Sequence, residues 1–161
     1  MYSKDDMLRD VVAALARAPS LAGVQHLVRG NARALADAQG ATVVLREGDR
    51  CFYADEDAIS PLWKGQRFPI TECISGWAML YRSTAVIPDI RVDDRIPMAA
   101  YRPTFVRSLA MIPVRTADPL GAVGVYWATA RRPTDEQIAR LCALADATGA
   151  ALERLLPEPP Q

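Results

Sequence analysis

Cys73 is the residue of this chain best placed to do chemistry. It stands directly before Ile74-Ser75-Gly76, where a helix is expected to begin. A thiol near a helix N-terminus can have a lowered pKa, because the helix dipole favours the thiolate. The competing interpretation is a small apolar side chain in the core, where free cysteines often lie. Cys51 and Cys142 fall on a predicted strand and a predicted helix, so they are expected to pack in the core.

Charged side chains are concentrated between residues 89 and 103. This segment contains three Asp, three Arg and two Pro residues, and it is predicted to be a long structured loop that covers a pocket or carries function. Its aspartates are typical of turn and cap positions rather than of a metal site. Asp89 and Asp93 can also pair with Arg95 or Arg102, which would hold the loop closed.

Two arginines and several aromatic residues surround the same loop. Arg102 and Arg107 flank Phe105, and each is either a fork for a carboxylate or a solvated loop end. Aromatic side chains are first of all core and lid material. Beside an open pocket they would line a site for a flat or apolar small molecule. The candidate pocket residues are Trp63, Phe68, Cys73, Trp77, Asp89, Tyr101, Arg102, Phe105, Arg107 and Tyr126.

Composition argues against several classes of function. His26 is the single histidine, so neither a Ser-His-Asp set nor a histidine-based metal or haem site is expected. The formal net charge of +0 argues against a nucleic-acid partner. No apolar run approaches the roughly 20 residues of a membrane span, and the N-terminus lacks a signal-peptide pattern. Three widely spaced cysteines without a C-x-x-C motif predict a reducing, cytoplasmic location and no disulfide framework.

The elements that position these residues follow from periodicity and caps. Capping boxes at Ser3-x-x-Asp6 and Thr134-x-x-Gln137 mark the starts of the first and last helices. Glu47-Gly48-Asp49 predicts a tight hairpin, and residues 54–66 are expected to form an irregular loop. The predicted order is helix–helix–hairpin–loop–helix–strand–loop–strand–strand–helix. Hairpin-linked strands favour an antiparallel sheet in an α+β fold, with the terminal helices covering it.

Three motifs give the chain a family resemblance. They are Cys73-Ile74-Ser75-Gly76-Trp77, the Asp89…Asp93-x-Arg95 loop, and Ser108–Val114. This set resembles the GAF domains of bacterial sensor histidine kinases and other two-component signalling proteins, over about Ser20 to Leu155. The resemblance implies a central antiparallel sheet of five or six strands, with the N- and C-terminal helices on one face. A pocket with loops and a short helix would lie on the other face. The expected division is an N-terminal helix at 1–18, a GAF domain at 19–156 and a tail or linker at 157–161.

The resemblance also restricts the cofactor. Bilin-binding GAF domains attach their chromophore to a cysteine followed by a histidine, whereas Ile74 follows Cys73 here. Cyclic-nucleotide-binding members carry an Asn-Lys…Phe…Asp-Glu signature, which Arg91–Arg95 does not match. A few members reduce free methionine sulfoxide with several cysteines beside the pocket. Residues 89–101 contain no cysteine, and Cys51 and Cys142 lie on other elements, so no second thiol is expected to resolve an oxidised Cys73.

The predicted function is a non-enzymatic sensory and regulatory domain without a cofactor. A small molecule or other cue would act in a cavity between the sheet and the 89–105 loop, walled by Trp77, Tyr101, Phe105 and the last strand. The terminal helices would pass the change to a kinase or other signalling output, and would also form a homodimer through two apolar stripes. Those stripes are Leu8, Val11, Val12 and Leu15 in the first helix, and Ile138, Leu141, Leu144, Ala145 and Leu152 in the last. The alternatives are a thiol-based redox enzyme or sensor that uses Cys73, and a purely structural dimerisation domain.

Overall fold

The computed structural model describes residues 1–157. Its helices are α1 (Lys4–Arg17), α2 (Leu21–Leu35), α3 (Ile74–Tyr81), α4 (Met98–Tyr101) and α5 (Asp135–Leu155), with a 3₁₀ turn at Ile90–Val92. Its strands are β1 (Gly40–Glu47), β2 (Arg50–Ala58), β3 (Arg67–Pro69), β4 (Ala85–Ile87), β5 (Ser108–Val114) and β6 (Gly121–Trp127). The predicted tail at 157–161 lies, apart from Pro157, outside the described residues.

Local sequence signals set the ends of these elements. Both predicted capping boxes are present: the Ser3 and Thr134 hydroxyls each accept a bond from the backbone N–H three residues later, and the Asp6 and Gln137 side chains reach back to the cap. These bonds satisfy N–H groups that a helix leaves free in its first turn. Gly48 has a φ of +64° in the β1–β2 turn, a value that favours glycine.

The strands form one antiparallel sheet with the order β3-β2-β1-β6-β5-β4. Over the described residues it has six strands, which confirms the predicted α+β architecture. β5 shows why the sheet carries two layers. Ala110 and Ile112 face the core beneath α1, α2 and α5, whereas Leu109 and Met111 face the core beneath α3. Alternate residues of a strand point to opposite faces, so β5 and β6 are buried on both sides.

One of the two predicted loops is more regular than expected. β2 continues to Ala58, so the first five residues of the predicted irregular segment 54–66 form a strand. Its acidic residues are accommodated because α2 supplies cations: Arg29 Nη1 lies 2.9 Å from Asp55 Oδ1, and Arg33 Nη1 lies 2.7 Å from Asp57 Oδ1. The predicted loop at 89–103 is structured as expected and includes the 3₁₀ turn and α4.

The terminal helices pack against each other within one chain. α1 contacts both α2 and α5, and Arg154 donates hydrogen bonds of 2.9 Å to the carbonyls of Leu15 and Ala18 at the end of α1. This contact and the sheet bury six members of the two predicted stripes. They are Val11, Leu15, Leu141, Leu144, Ala145 and Leu152. The expectation that both stripes are left for a second copy is therefore wrong for these residues, since the chain covers them itself.

Within residues 1–157, no helix has the length and apolar character needed to cross a membrane.

Candidate functional site

The side of the sheet opposite the terminal helices is closed by an aromatic cluster. The ring centroids of Trp63 and Tyr101 are 4.7 Å apart, and those of Trp63 and Tyr126 are 5.5 Å apart. Tyr53 contacts Trp63 and Phe68 edge-on, at 5.6 and 5.4 Å. The space left among these rings is about 40 Å³, enough for roughly one water molecule. The predicted metabolite cavity against the last strand is therefore filled by Trp63 and its neighbours.

Glu56 positions Trp63 in this cluster. Its carboxylate accepts backbone N–H bonds of 2.9 Å from Leu62, Trp63 and Lys64, so the segment after β2 folds over the sheet. The Trp63 indole N–H then donates to the Ala100 carbonyl at 3.0 Å, which ties this segment to α4. Glu56 was not among the predicted site residues, because a glutamate in a polar stretch gives no sign that three backbone donors converge on it.

An open groove of about 760 Å³ lies outside the cluster. One wall is α3 with the segment before it, and the other is the chain from Asp94 to Ala100. Trp77 and Tyr81 stack along α3 with ring centroids 4.9 Å apart. The Arg95 guanidinium carbon lies 4.4 Å from the centre of the Trp77 ring, a cation–π contact that fixes the arginine at the groove.

Asp93 holds Arg95 from the other side. The Arg95 Nη2 and Asp93 Oδ2 atoms are 2.8 Å apart, and the hydrogen bonds from Arg95 hold the pKa of the Asp93 carboxyl below its usual range. Asp89 forms a similar pair with Arg91 at 3.4 Å. The predicted Asp93–Arg95 pairing is confirmed. The Asp89 partner is Arg91, a residue that the sequence analysis did not name for this role.

Cys73 lies where the groove meets the aromatic cluster and lines both spaces. It is the N-cap residue of α3, as its position before Ser75-Gly76 predicts. Its sulfur lies 3.3 Å from Ser75 Oγ, and Ser75 Oγ lies 3.0 Å from the Tyr53 hydroxyl oxygen. A buried chain of polar groups therefore leads from Tyr53 through Ser75 to the thiol.

The thiol of Cys51, on β2, is near enough to Cys73 for each group to influence the pKa of the other. The influence of Cys51, with that of the Ser75 hydroxyl and the Gly76 N–H, lowers the pKa of Cys73 to about 7, although burial opposes this shift. The influence of Cys73 and burial raise the pKa of Cys51. Cys51 is fully buried, as predicted. The expectation that no second thiol lies near Cys73 is wrong, because the hairpin brings β2 beneath the start of α3.

Four other predicted residues lie away from the groove lining. Asp89 is occupied with Arg91, and Arg102 is exposed at the end of α4. The Phe105 ring packs over Gly40 at the start of β1. Arg107 extends the β5–β6 ladder through its backbone, and its buried Nε has no hydrogen-bond partner among the described residues. The cluster and the groove bring together the other six predicted residues, which are Trp63, Phe68, Cys73, Trp77, Tyr101 and Tyr126.

Residues 1–157 contain no group of three or more His, Cys, Asp or Glu side chains arranged to hold a metal ion. Burial raises the pKa values of Tyr53, Tyr101 and Tyr126, so these phenols stay protonated at neutral pH. The Tyr101 hydroxyl is buried without a partner among the described residues. The site thus offers one thiol of lowered pKa, one fixed guanidinium and aromatic surface.

The sheet order, the helical layer and the groove beside α3 together define an α+β domain with a six-stranded antiparallel sheet over the described residues. The family model described as "GAF domain" matches residues 3–153, so the chain belongs to the GAF domain family. None of the curated proteins compared with the chain matches its sequence.

Several solved structures share the fold at low sequence identity. The GAF domain of an Acinetobacter phosphoenolpyruvate-protein phosphotransferase superposes with a TM-score of 0.81 at 13% identity, covering 94% of this chain and 93% of that one. The free methionine-R-sulfoxide reductase of Neisseria meningitidis, solved with its substrate, gives 0.79 at 15% identity over 93% and 88%. The GAF-B domain of DevS from Mycobacterium smegmatis gives 0.68 at 20% over 83% and 93%. The second of these is itself a reductase, whereas the first and third are GAF domains, so the shared fold alone does not separate sensing from catalysis.

Proposed function

We propose that this protein is a non-enzymatic sensory and regulatory domain, which receives a small-molecule or chemical cue at the groove beside α3. The observation that carries the proposal is the groove itself, about 760 Å³ in volume and walled by Trp77, Tyr81 and Arg95. It combines aromatic surface with a fixed guanidinium, a composition suited to a small molecule that has both a flat apolar part and an acceptor group.

The sheet gives this groove a physical route to the terminal helices. α3 packs on β5 and β6, and α5 packs on the opposite face of the same strands. A cue that moves α3 therefore acts on Leu109 and Met111, while Ala110 and Ile112 of the same strand carry the displacement to the core under α5. Close-packed strands transmit such shifts because they have little free volume to absorb them.

The test uses two arginines that differ in their relation to the groove. Arg95 and Arg91 each pair with the aspartate two residues before them, but of the two only Arg95 is among the groove-lining residues. A thermal-shift screen of small metabolites, together with native mass spectrometry of the purified protein, should identify a bound compound. Arg95→Ala should then weaken its binding at least about tenfold, whereas Arg91→Ala should leave it unchanged. Equal loss in both variants, or no compound in either measurement, contradicts a small-molecule site in the groove.

A cytoplasmic location and a kinase or other signalling output belong to the same proposal. The unpaired cysteine composition supports the first. The second is supported by α1 and α5, which lie on one face of the sheet and carry the two ends of the described chain.

The second candidate is a thiol-dependent reductase of a small sulfoxide. The specific observation in its favour is that Cys51 lies in the same core cluster as Cys73, because such a reductase needs a second thiol to resolve an oxidised one. Thiol-dependent loss of free methionine sulfoxide distinguishes the two functions. The sensory proposal expects no turnover. Robust turnover that is abolished by Cys73→Ser would contradict the sensory proposal and favour the reductase.

A further inference from the structure

We propose that the groove takes a neutral aromatic compound with a hydroxyl or carbonyl oxygen, and that this oxygen enters the inner cavity and accepts a hydrogen bond from Tyr101. The inner cavity is the space of about 40 Å³ left among the rings of the aromatic cluster. This inference deepens the proposed function, on which it rests, by naming the class of ligand and the residue that selects it.

The Tyr101 hydroxyl is the unsatisfied group that indicates such a ligand. Tyr101 is 3% exposed, and its hydroxyl has no hydrogen-bond partner among the described residues. The two other tyrosine hydroxyls of the cluster are satisfied: that of Tyr126 lies 2.9 Å from Thr42 Oγ1. The hydroxyl oxygen of Tyr53 lies 3.0 Å from Ser75 Oγ. A buried donor without a partner is unfavourable, so a ligand atom that accepts from Tyr101 removes this penalty.

The inner cavity is the space through which a ligand can reach this hydroxyl. Tyr101 lines the inner cavity, whereas the groove lies outside it. Phe68, Cys73 and Pro97 line both spaces, so the two adjoin. A volume of about 40 Å³ has room for roughly one water-sized group, so it can hold an oxygen substituent but no ring. The ring of the ligand therefore stays in the groove, where Trp77 offers aromatic surface.

The charges around the two spaces favour a neutral oxygen over an anionic one. Glu72 lines both spaces and Asp94 lines the groove, and neither carboxylate forms an ion pair in the part of the chain that the structure describes. The cation of the groove, Arg95, is already paired with Asp93. The residues that line the inner cavity include no cation, so a carboxylate or phosphate would lose its water there without compensation. Burial raises the pKa of Tyr101, which keeps its hydroxyl protonated and able to donate.

Phenol and toluene are matched probes for the inner contact, since a hydroxyl and a methyl group are similar in size. Their affinities for the unmodified protein and for two variants can be measured by NMR titration. Tyr101→Phe should lower the ratio of phenol affinity to toluene affinity by about three- to tenfold, because it removes one hydrogen bond that only phenol accepts. Tyr126→Phe is the matched control and should keep the ratio, because the Tyr126 hydroxyl is already bonded to Thr42.

The stability of the free protein gives a second measurement that needs no ligand. Tyr101→Phe removes an unsatisfied hydroxyl and should leave the urea midpoint of unfolding unchanged or raise it. Tyr126→Phe should lower the midpoint, because it breaks the buried bond with Thr42. Equal destabilisation by the two changes would mean that the Tyr101 hydroxyl already has a partner, such as a buried water, and would overturn the proposal.

Three binding results would also overturn it. They are the absence of saturable phenol binding, an unchanged affinity ratio in folded Tyr101→Phe, and tighter binding of benzoate, an anion, than of phenol. Each of them leaves the groove proposal standing, because that proposal is measured with a bound metabolite and Arg95→Ala. Conversely, a ratio that depends on Tyr101, together with equal metabolite binding by Arg95→Ala and Arg91→Ala, would keep the inner contact and remove the role of Arg95.

Discussion

The pKa of the Cys73 thiol is set by opposing effects of its surroundings. Burial disfavours the thiolate, but donors from Cys51, Ser75 and Gly76 favour it, and the balance lowers the pKa of Cys73 to about 7. A free cysteine in the core would titrate above its usual value instead. The difference arises from two neighbours that no local sequence pattern links to Cys73, namely Cys51 and the Tyr53–Ser75 hydroxyl pair.

The pH dependence of Cys73 alkylation tests this balance. Because the thiolate reacts and its fraction rises with pH, the rate with a small alkylating agent should increase about tenfold between pH 6 and pH 8, with a midpoint near 7. Cys51→Ala removes a donor and should move the midpoint upward. Peptide mapping assigns the rate to Cys73, and the reaction should vanish in Cys73→Ser. A midpoint that Cys51→Ala leaves unchanged would contradict the role of Cys51.

Trp63→Ala tests the inner aromatic cluster. Trp63 is 4% exposed and contacts three tyrosine rings, so its removal leaves a cavity and should destabilise the fold by about 3–5 kcal/mol. Urea denaturation measures the loss, and indole should recover part of it by filling the cavity. Trp77→Ala is the comparison and should cost clearly less, because Trp77 is half-buried at the groove. Equal costs would mean that Trp63 does not fill the cluster.

At the scale of elements, α3 has little room for added side-chain volume, because it is packed on two sides. Its first turn contacts the backbone after β3 through Gly76, and its other face contacts β5 and β6. Its C-cap, Arg82, adopts a left-handed conformation with a φ of +52°, which ends the helix. Only two residues separate Arg82 from the start of β4. Contacts on both sides of α3 thus fix its position between the groove and the sheet.

Two glycine substitutions should have opposite effects. Gly76→Ala places a methyl group against the Ile70 carbonyl, so α3 or β3 must shift, and we expect a loss of about 1–3 kcal/mol. Gly30→Ala, inside α2, meets only an ordinary contact of 3.8 Å with Asp57 Oδ2. There alanine should stabilise by about 0.5–1 kcal/mol through its higher helix propensity. Chemical denaturation measures the free energy of unfolding of both variants. A Gly76→Ala variant that is more stable than the unmodified protein would show that α3 does not pack closely against Ile70.

At the scale of the whole molecule, α1, α2 and α5 form one layer of helices that a single chain completes alone. Trp127 and Gln137 both donate to the Ala36 carbonyl at 3.1 Å, which joins the end of α2 to β6 and α5. A homodimer, which stays a prediction, would have to use the outer side of this layer. Val12 is 37% exposed there and is the most exposed member of the α1 stripe.

Val12→Glu is therefore the informative change for assembly. If two copies meet through the outer side of α1, a charge at Val12 should convert the dimer to a monomer without loss of fold, measured by light scattering at tens of micromolar. Leu141→Glu cannot serve this purpose, because Leu141 is fully buried and a carboxylate there would unfold the chain. A monomeric unmodified protein would end the dimer prediction and leave the helices as a cover for the sheet.

The sequence by itself determined the features that depend on neighbours along the chain. The capping boxes, the Gly48 hairpin, the buried β5 and β6 runs and the start of α3 at Ile74 all lie where residue type and period place them. These signals are local, since caps, turns and alternation act within a few residues. They were sufficient for the α+β architecture, whereas the placement of the terminal helices on one face of the sheet and the short helix on the other came from the resemblance to GAF domains.

Only the tertiary structure decided which distant residues meet. Cys51 and Cys73 are 22 positions apart, and Trp63 fills the space that Trp77 and Phe105 were expected to wall. The terminal stripes cover each other because both flank the same face of the sheet. Such contacts are set by strand order and by crossing segments, such as the one that Glu56 folds over the sheet. No periodicity encodes them, because each depends on packing summed over the whole core.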